Sequence, residues 1–188
     1  MDLIRRYLRM LRIQLAARRG PRLGLHDVAT RRARVWLTDL DELRHMNNSV
    51  YLGLMDHARL DLLLRSGAWK AIRAAGIYPV VTTQTISYRK SLELGERYEI
   101  ETRIAGYDER AVYIEQRFVR AGEVTAVAFV AGRFLRDTGG VVTMAELGEV
   151  TGVDVAARPI PDWMAEWAAA TRLPSTKQPA PSVWEPLG

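Results

Sequence analysis

The sequence predicts an α+β domain in which a curved antiparallel sheet of about five strands wraps around one central helix. Three observations support this prediction. An apolar run from Val50 to Leu64 is too continuous for a surface helix and too short for a membrane span. One alternating segment precedes that run, and further alternating segments follow Pro79. A buried helix and a sheet with one apolar face can then share a single core.

The segments before Pro79 predict one strand and two helices. Residues 27–37 alternate and end in "VWL", which indicates the first strand. The apolar run predicts the central helix, which Gly67 ends, and "AWKAIRAAG" predicts a short second helix closed by Gly76.

One flank of the central helix carries opposite charges at helical spacing. Asp56 stands three residues before Arg59, and Asp61 stands four residues before Arg65. Side chains three or four residues apart are neighbours on a helix. The sequence therefore predicts ion pairs on a flank that faces water or another subunit.

The segments after Pro79 alternate between apolar and polar residues, as strands do. Short turns containing Gly95, Asp108-Glu109 and Gly122-Glu123 separate them. Four strands joined in this way predict an antiparallel meander: "VVTTQTISYRK", "RYEIETRIAGYDE", "RAVYIEQRFVRAG" and "EVTAVAFVAGRFLRD". The sheet-and-helix domain is predicted to span residues 21–138.

Residues 1–20 are predicted to form a basic amphipathic helix. Apolar residues recur at helical spacing with arginines between them, and Gly20-Pro21 ends the pattern. One hypothesis is a helix that lies on an anionic membrane surface. Another is a helix that packs on its own domain or on a subunit partner. A mitochondrial-type presequence ranks below both, because the segment contains no serine.

Residues 139–188 are predicted to form an extension with one short helix and a proline-rich tail. The helix is "PDWMAEWAAATRL", with Pro161 in its first turn. Trp163 and Trp167 stand one turn apart, and they are better suited to pin this helix to the domain than to bind a ligand. Repeated prolines after residue 173 argue against another helix.

Composition excludes several classes of function. The chain has 188 residues and no cysteine, so disulfides, thiolate zinc sites and cysteine nucleophiles are excluded. The three histidines share no metal-ligand spacing, and no metal is predicted. The net charge of +5 comes mainly from arginines before residue 35, without aromatic platforms for bases, so nucleic acid is not a predicted partner.

The same survey predicts a cytoplasmic location, with membrane association if the N-terminal helix binds lipid. No apolar run approaches the length that crosses a bilayer. The N-terminus also lacks the apolar core and cleavage site of a secretory signal.

Polar residues crowd into the segment just before the central helix, namely Asp39, Asp41, His45, Asn47 and Asn48. Unpaired N–H groups and the helix dipole at a helix N-terminus favour negative charge, including the oxyanion of an acyl-transfer intermediate. A carboxylate beside them can activate water or attack directly. The alternative is structural, because aspartate and asparagine are also common cap and turn residues.

The stretch "DLDELRHMNNSVYL" resembles the signature of the hotdog-fold thioesterase superfamily, the 4-hydroxybenzoyl-CoA thioesterase-like enzymes. With the later "SYRKSLELGERYEIETRIAGYDERAVYIEQRF", it is most similar to the branch of thioesterase superfamily member six and its bacterial relatives. The resemblance covers about residues 21–135. It implies a hotdog fold, an acyl-CoA or acyl-carrier-protein thioester as substrate, and no cofactor.

By position, the resemblance implies that Asp41 is the catalytic nucleophile or general base. His45, Asn47 and Asn48 match the family's histidine and asparagines and complete the implied catalytic set. Asp39 matches a loop-organising aspartate beside the substrate, and Tyr51 matches the family tyrosine on the helix.

Four residues of the next strand are further candidates for substrate binding. Thr83 and Gln84 could hold the thioester or the water, and Arg89 and Lys90 could meet coenzyme A phosphates as charged donors. The alternatives are strand propensity for the first pair and strand-end solubility for the second.

Two residues depart from the family pattern. Arg44 stands where many relatives have glycine, so the turn cannot depend on a glycine-only conformation there. Leu43 stands where plant acyl-carrier-protein thioesterases have asparagine, so their polar relay is incomplete in this chain.

The resulting prediction is an acyl-CoA thioesterase that assembles as a homodimer or a dimer of dimers. The resemblance implies edge-to-edge pairing of sheets, and an unpaired sheet edge is otherwise a liability. The main alternative is a non-catalytic protein that binds acyl thioesters or lipids at a membrane surface. An enoyl-thioester hydratase is less favoured, because the motif spacing from Asp41 to His45 is one residue short.

Overall fold

The computed structural model describes residues 13–15, 17, 19–175 and 177–184 of the chain. Within them, one mixed domain contains a curved antiparallel sheet and four helices, which confirms the predicted α+β class. The predicted N-terminal helix falls largely on residues outside this description. Of its described positions, Ile13 and Ala17 are buried.

The sheet follows the order β1-β3-β4-β5-β2, with a sixth strand attached to β5. Every pairing is antiparallel, as the short predicted turns require. The strands are β1 Ala29–Arg34, β2 Ile77–Tyr88, β3 Arg97–Tyr107, β4 Val112–Arg120, β5 Glu123–Arg136 and β6 Val141–Val142. Five strands match the prediction, and β6 is a two-residue addition.

The four helices are α1 Asn48–Arg65, α2 Ala68–Ala74, α3 Met144–Thr151 and α4 Asp162–Ala170. A 3-10 turn at Leu37–Asp39 leads from β1 toward α1. The sequence did not predict α3. Its Met144 and Leu147 are nevertheless buried in the same apolar cluster as Leu62 of α1.

Helix α1 lies against the concave face of the sheet, where the apolar side chains form two clusters. The proximal cluster surrounds the start of α1 and includes Tyr51, Met55, Ile100 and Phe118. The distal cluster surrounds its end and includes Leu62, Ile72, Ile77, Ile104 and Phe134. The fully buried polar side chains of Thr102 and Gln116 lie between them along the strands.

Helix α4 covers the opposite face of the sheet. The Trp163 ring meets Phe129 with centroids 4.9 Å apart, and the Trp167 ring meets Tyr113 at 6.4 Å. Met164 between them is buried. The prediction that the two tryptophans pin this helix to the domain is therefore confirmed.

The ion pairs predicted along α1 form, but one of them is buried. Asp61 is only 3% exposed and lies between Arg65, at 3.2 Å, and Arg31 of β1, at 3.7 Å. The prediction that this flank faces water or another subunit is wrong at Asp61, because β1 covers it. The charge instead ties the helix to the edge of its own sheet.

Asp61→Asn is expected to lower the free energy of unfolding by about 2–4 kcal/mol, because two guanidinium groups lose their shared buried partner. Glu99→Gln is the matched control, since Glu99 pairs with an Arg32 side chain that is 88% exposed, and its cost should stay below about 1 kcal/mol. Urea unfolding curves measure both values. Equal costs would show that Asp61 does not hold the helix to β1.

Candidate functional site

The loop between β1 and α1 closes on itself through backbone hydrogen bonds. The Asp41 N–H donates to the carbonyl of His45 at 2.9 Å, and the Arg44 N–H donates to the carbonyl of Asp41 at 3.1 Å. Leu40 and Met46 pair across the same turn as an isolated bridge. Residues 40–46 thus form a compact hairpin directly before the helix.

The Asp41 carboxylate is built into this hairpin. Its Oδ1 accepts the N–H of Leu43 at 2.9 Å and the N–H of His45 at 3.2 Å. Among the residues that the structure describes, none donates a hydrogen bond to Oδ2. One oxygen therefore fixes the carboxylate, and the other is available to a substrate or a water molecule.

Arg44 occupies the tightest position of the hairpin, with a φ of 65°. This left-handed conformation costs a residue with a Cβ roughly 1–2 kcal/mol relative to the right-handed one. The turn therefore does use the conformation that glycine adopts most easily. The hydrogen bond from the Arg44 N–H to the Asp41 carbonyl closes the turn around this conformation.

A second loop holds the hairpin against the sheet. The Met46 N–H donates to the carbonyl of Leu92 at 2.8 Å, and His45 pairs with Glu93 as an isolated bridge. The Met46 side chain, 3% exposed, enters the proximal cluster beside the buried Leu92. These contacts give His45 a partly buried position at the junction of the two loops.

Asn47 caps helix α1. Its Oδ1 accepts the N–H of Ser49 at 2.8 Å and the Ser49 hydroxyl at 2.6 Å. The structural interpretation of this residue therefore holds. Asn48 is the first residue of the helix and is exposed, and its N–H meets no acceptor among the described residues.

Asp39 organises the preceding 3-10 turn. Its Oδ2 accepts the Trp36 N–H at 2.8 Å, and its carbonyl accepts the Asn47 N–H at 2.8 Å. Both interactions shape the loop, as the sequence predicted for this aspartate.

Tyr51 lies in the proximal cluster and is almost fully buried. Its ring centroid is 4.7 Å from that of Phe118 and 5.1 Å from that of Tyr88 on β2. Burial raises the pKa of its hydroxyl to about 12, so the group is protonated at neutral pH. These contacts tie the start of α1 to the end of β2, and the predicted contact of Tyr51 with substrate stays a prediction.

The four candidates on β2 and beyond it separate into two pairs. Thr83 and Gln84 lie mid-strand, and the Gln84 Oε1 is buried without a hydrogen-bond partner among the described residues. Arg89 and Lys90 follow the strand, and both form ion pairs with Glu123 at the start of β5. Their predicted meeting with coenzyme A phosphates stays a prediction.

A cavity of about 490 Å³ opens at the other end of α1. Its wall is mostly apolar and comes from α1, α2, α3 and the sheet, with Asp56, His57, Arg59 and Tyr107 as its charged or titratable members. The volume falls within the range of small-molecule sites. Asp41 and Asn48 do not line it, so a single chain does not bring the predicted catalytic residues to the cavity.

Sequence analysis identified Asp56 and Arg59 only as an ion pair, and it overlooked Gln116. The structure joins these three residues in one hydrogen-bonded chain beside the cavity. The available signal was a glutamine in an otherwise apolar face of β4, since a buried amide needs partners.

The sequence matches the family model described as the thioesterase-like superfamily over residues 35–168. This span includes the Asp41 hairpin, α1, strands β2 to β6 and most of α4.

The chain is also similar in sequence to curated proteins. Protein THEM6 of Danio rerio is 44% identical over 105 residues, 55% of this chain and 52% of that protein. Protein THEM6 of Xenopus laevis is 49% identical over 81 residues, 43% of this chain and 39% of that protein. The chain thus spans about half or less of the length of these curated relatives.

Solved structures extend the similarity to the fold. YbaW, a probable thioesterase from Escherichia coli, superposes with a TM-score of 0.62 and 25% identity. The superposition covers 65% of this chain and 95% of YbaW. The hotdog fold implied by the sequence motif is therefore confirmed.

Asn47→Ala is expected to lower the free energy of unfolding by about 1 kcal/mol, because the Ser49 N–H loses its cap. Asn47→Asp keeps an acceptor at the same place and should cost much less. Asn48→Ala serves as the control at the neighbouring exposed position. Urea unfolding measures all three, and an equal loss for Asn48→Ala would contradict the assignment of the cap to Asn47.

Proposed function

Because this chain belongs to the thioesterase-like superfamily, we propose that it is an acyl-CoA thioesterase, which hydrolyses an acyl thioester to a carboxylic acid and a free thiol. The observation that supports this most directly is the Asp41 hairpin. It fixes one carboxylate oxygen by two N–H groups and leaves the other available, immediately before the open N-terminus of α1.

In the proposed reaction, the Asp41 Oδ2 takes a proton from water as the water oxygen bonds to the thioester carbon. The Asn48 N–H and the helix dipole stabilise the negative charge that develops on the carbonyl oxygen. The carbon–sulfur bond then breaks, and the thiolate recovers the proton from Asp41. Direct attack by Asp41 would give an anhydride that water opens, with the same products.

We also propose that two chains pair through β2. Both β1 and β2 are edge strands. Strand β1 has six residues, and its three arginines protect that edge, whereas β2 has twelve residues and none of them is charged. Antiparallel pairing near the middle of β2 would place the Tyr88 end of one strand beside the Pro79 end of the other. Tyr88 contacts Tyr51 near the start of α1, and Pro79 lines the cavity.

Such a dimer would bring the α1 N-terminus of one chain to the cavity of the other. This arrangement accounts for the separation of Asp41 and the cavity within one chain. Arg89 and Lys90, at the end of the same strand, would then flank the entrance as proposed donors to the phosphates of coenzyme A. Parallel assays with acyl-CoA and acyl-carrier-protein thioesters distinguish the two carriers.

One observation favours the alternative of a non-catalytic binding protein. The cavity is of ligand size, yet its wall lacks Asp41. A protein that only binds acyl groups or lipids needs the cavity and not the carboxylate. Turnover therefore decides between the two proposals.

Asp41→Asn is expected to reduce kcat/KM for acyl-CoA at least about 100-fold, the usual contribution of a general base. The asparagine Oδ1 can still accept the N–H groups of Leu43 and His45, so the fold should persist. Thiol release read with a thiol-reactive dye measures the rate, and a chain without cysteine adds no background. Glu42→Gln, an exposed neighbour of the same charge, is the control.

Two outcomes would contradict the proposed roles. Full activity of a folded Asp41→Asn chain would remove Asp41 from the mechanism. No turnover by the unaltered chain across short, long and aromatic acyl-CoAs, with binding retained, would favour the binding protein.

Thr85→Lys on β2 is expected to shift a dimer toward monomers, because pairing about a two-fold axis brings the new charges of both strands together. Thr30→Lys on β1 is the matched control, an exposed threonine on the other edge strand. Sedimentation velocity measures the mass of each. Dimers that persist in Thr85→Lys but dissociate in Thr30→Lys would place the interface on β1.

A further inference from the structure

The Arg59 guanidinium lies in the wall of the cavity. Its side chain is only 10% exposed, and arginine is seldom buried to this extent unless it is paired. Nη1 donates to the Oε1 of Gln116 at 2.7 Å, and Nη2 donates to the Oδ1 of Asp56 at 2.6 Å. The group is therefore held between the interior of the sheet and the surface.

Gln116 holds this guanidinium from the inside. It is fully buried on the concave face of β4, and its Nε2 donates to the Met55 carbonyl at 3.0 Å and to the Thr102 hydroxyl at 2.9 Å. Each end of the amide is thus used, as a buried amide requires. Since a guanidinium has five N–H groups, Arg59 retains donors beyond the two used here.

The charge of Arg59 is only partly compensated within the chain. Gln116 is neutral, and the Asp56 side chain is 72% exposed, so water screens its charge. Burial lowers the pKa of the Arg59 guanidinium, and the nearby Asp56 carboxylate acts in the opposite direction. A buried cation in an apolar wall gains most from an anion placed beside it.

The remainder of the cavity suits an apolar chain. Leucine, isoleucine and valine side chains from α1 to α3 and from strands β2 to β5 form most of the wall. Asp56 and Val81 are its exposed members, so the cavity opens between α1 and the edge strand β2. Arg59 contacts Asp56 and therefore lies near this opening.

We propose that the cavity binds an amphipathic carboxylate, with the alkyl chain along the apolar wall and the carboxylate on the Arg59 guanidinium. The carboxylate belongs either to a free fatty acid or to the far end of an acyl group. Carboxylate binding is measured without turnover, so this site can be tested apart from hydrolysis. If the protein hydrolyses thioesters but binds no carboxylate, the proposed carboxylate site is wrong and the proposed activity stands.

Decanoate and decanol have alkyl chains of the same length, but only decanoate carries a charge. Calorimetric titration with both therefore separates the contribution of the carboxylate to binding from that of the alkyl chain. Arg59→Gln should weaken decanoate binding at least about tenfold, as loss of a charge-assisted bond requires, and change decanol binding less than about twofold. Arg32→Gln is the matched control, since it removes the same charge from an 88% exposed side chain outside the cavity wall.

Asp56→Asn provides a test in the opposite direction. Removing the competing carboxylate should strengthen decanoate binding several-fold, and the exposed position makes this change safe for folding. This variant decides the matter if Arg59→Gln does not fold. Equal affinities of the unaltered chain for decanoate and decanol, or decanoate binding unaffected by Asp56→Asn, would overturn the proposal.

Val81→Trp locates the ligand. Val81 is exposed at the opening of the single chain and lies on β2, the proposed pairing strand. A larger side chain there should block both ligands without disturbing the core, and sedimentation velocity shows whether pairing is retained. Unchanged binding of both would place them outside the cavity and overturn the proposal.

The source of the carboxylate is identified with two thioesters bound to the Asp41→Asn chain, which should turn them over at least about 100-fold more slowly. Tighter binding of decanedioyl-CoA than of decanoyl-CoA would assign the site to an acyl group with a terminal carboxylate. Equal binding of the two, together with tight binding of decanoate, would assign it to the free acid.

Discussion

The position of α1 along the sheet depends on a buried polar contact from Gln116, to which the buried Asp61–Arg31 pair adds a tie at β1. Apolar burial holds the helix against the concave face but has no preferred direction, so it does not fix where along the sheet the helix rests. The Gln116 side chain fixes the position of the helix along the sheet, because its amide donates to the Met55 carbonyl at the middle of α1. Sliding the helix would leave a buried amide unpaired, which costs about 1–3 kcal/mol. The two ends of the helix are positioned from this point.

The helix thereby separates two kinds of environment. At its start, the proximal cluster is densely aromatic, and Met46 and Tyr51 anchor the Asp41 hairpin and the first turn to it. At its end, the distal cluster leaves a cavity, closed in part by Leu147 of the extension helix α3. A rigid carboxylate needs the first environment, and a ligand chain needs the second.

The sequence predicted what is encoded locally. The alternation of apolar and polar residues predicted strands β2 to β5 to within a few residues, and the continuous apolar run predicted α1. Each pattern indicates which faces of an element are buried. Helix α3 was missed since its eight residues become stable only against the distal cluster. The hydrogen bond from Arg59 to Gln116 joins residues 57 apart, and no local pattern reports such a contact. The motif located the Asp41 hairpin, whereas the cavity is lined by residues from Leu25 to Val155 that no local pattern brings together.

Arg44 shows how firmly the hairpin is determined. A left-handed arginine persists only where the surrounding contacts over-determine the backbone, and here both flanks are fixed. Asp41 binds two N–H groups within the turn, and Met46 is held by Leu92 and by burial. The strain at Arg44 is therefore a consequence of the same bonds that orient the Asp41 carboxylate. Because these bonds form within the chain, the carboxylate is oriented before any substrate or second subunit arrives.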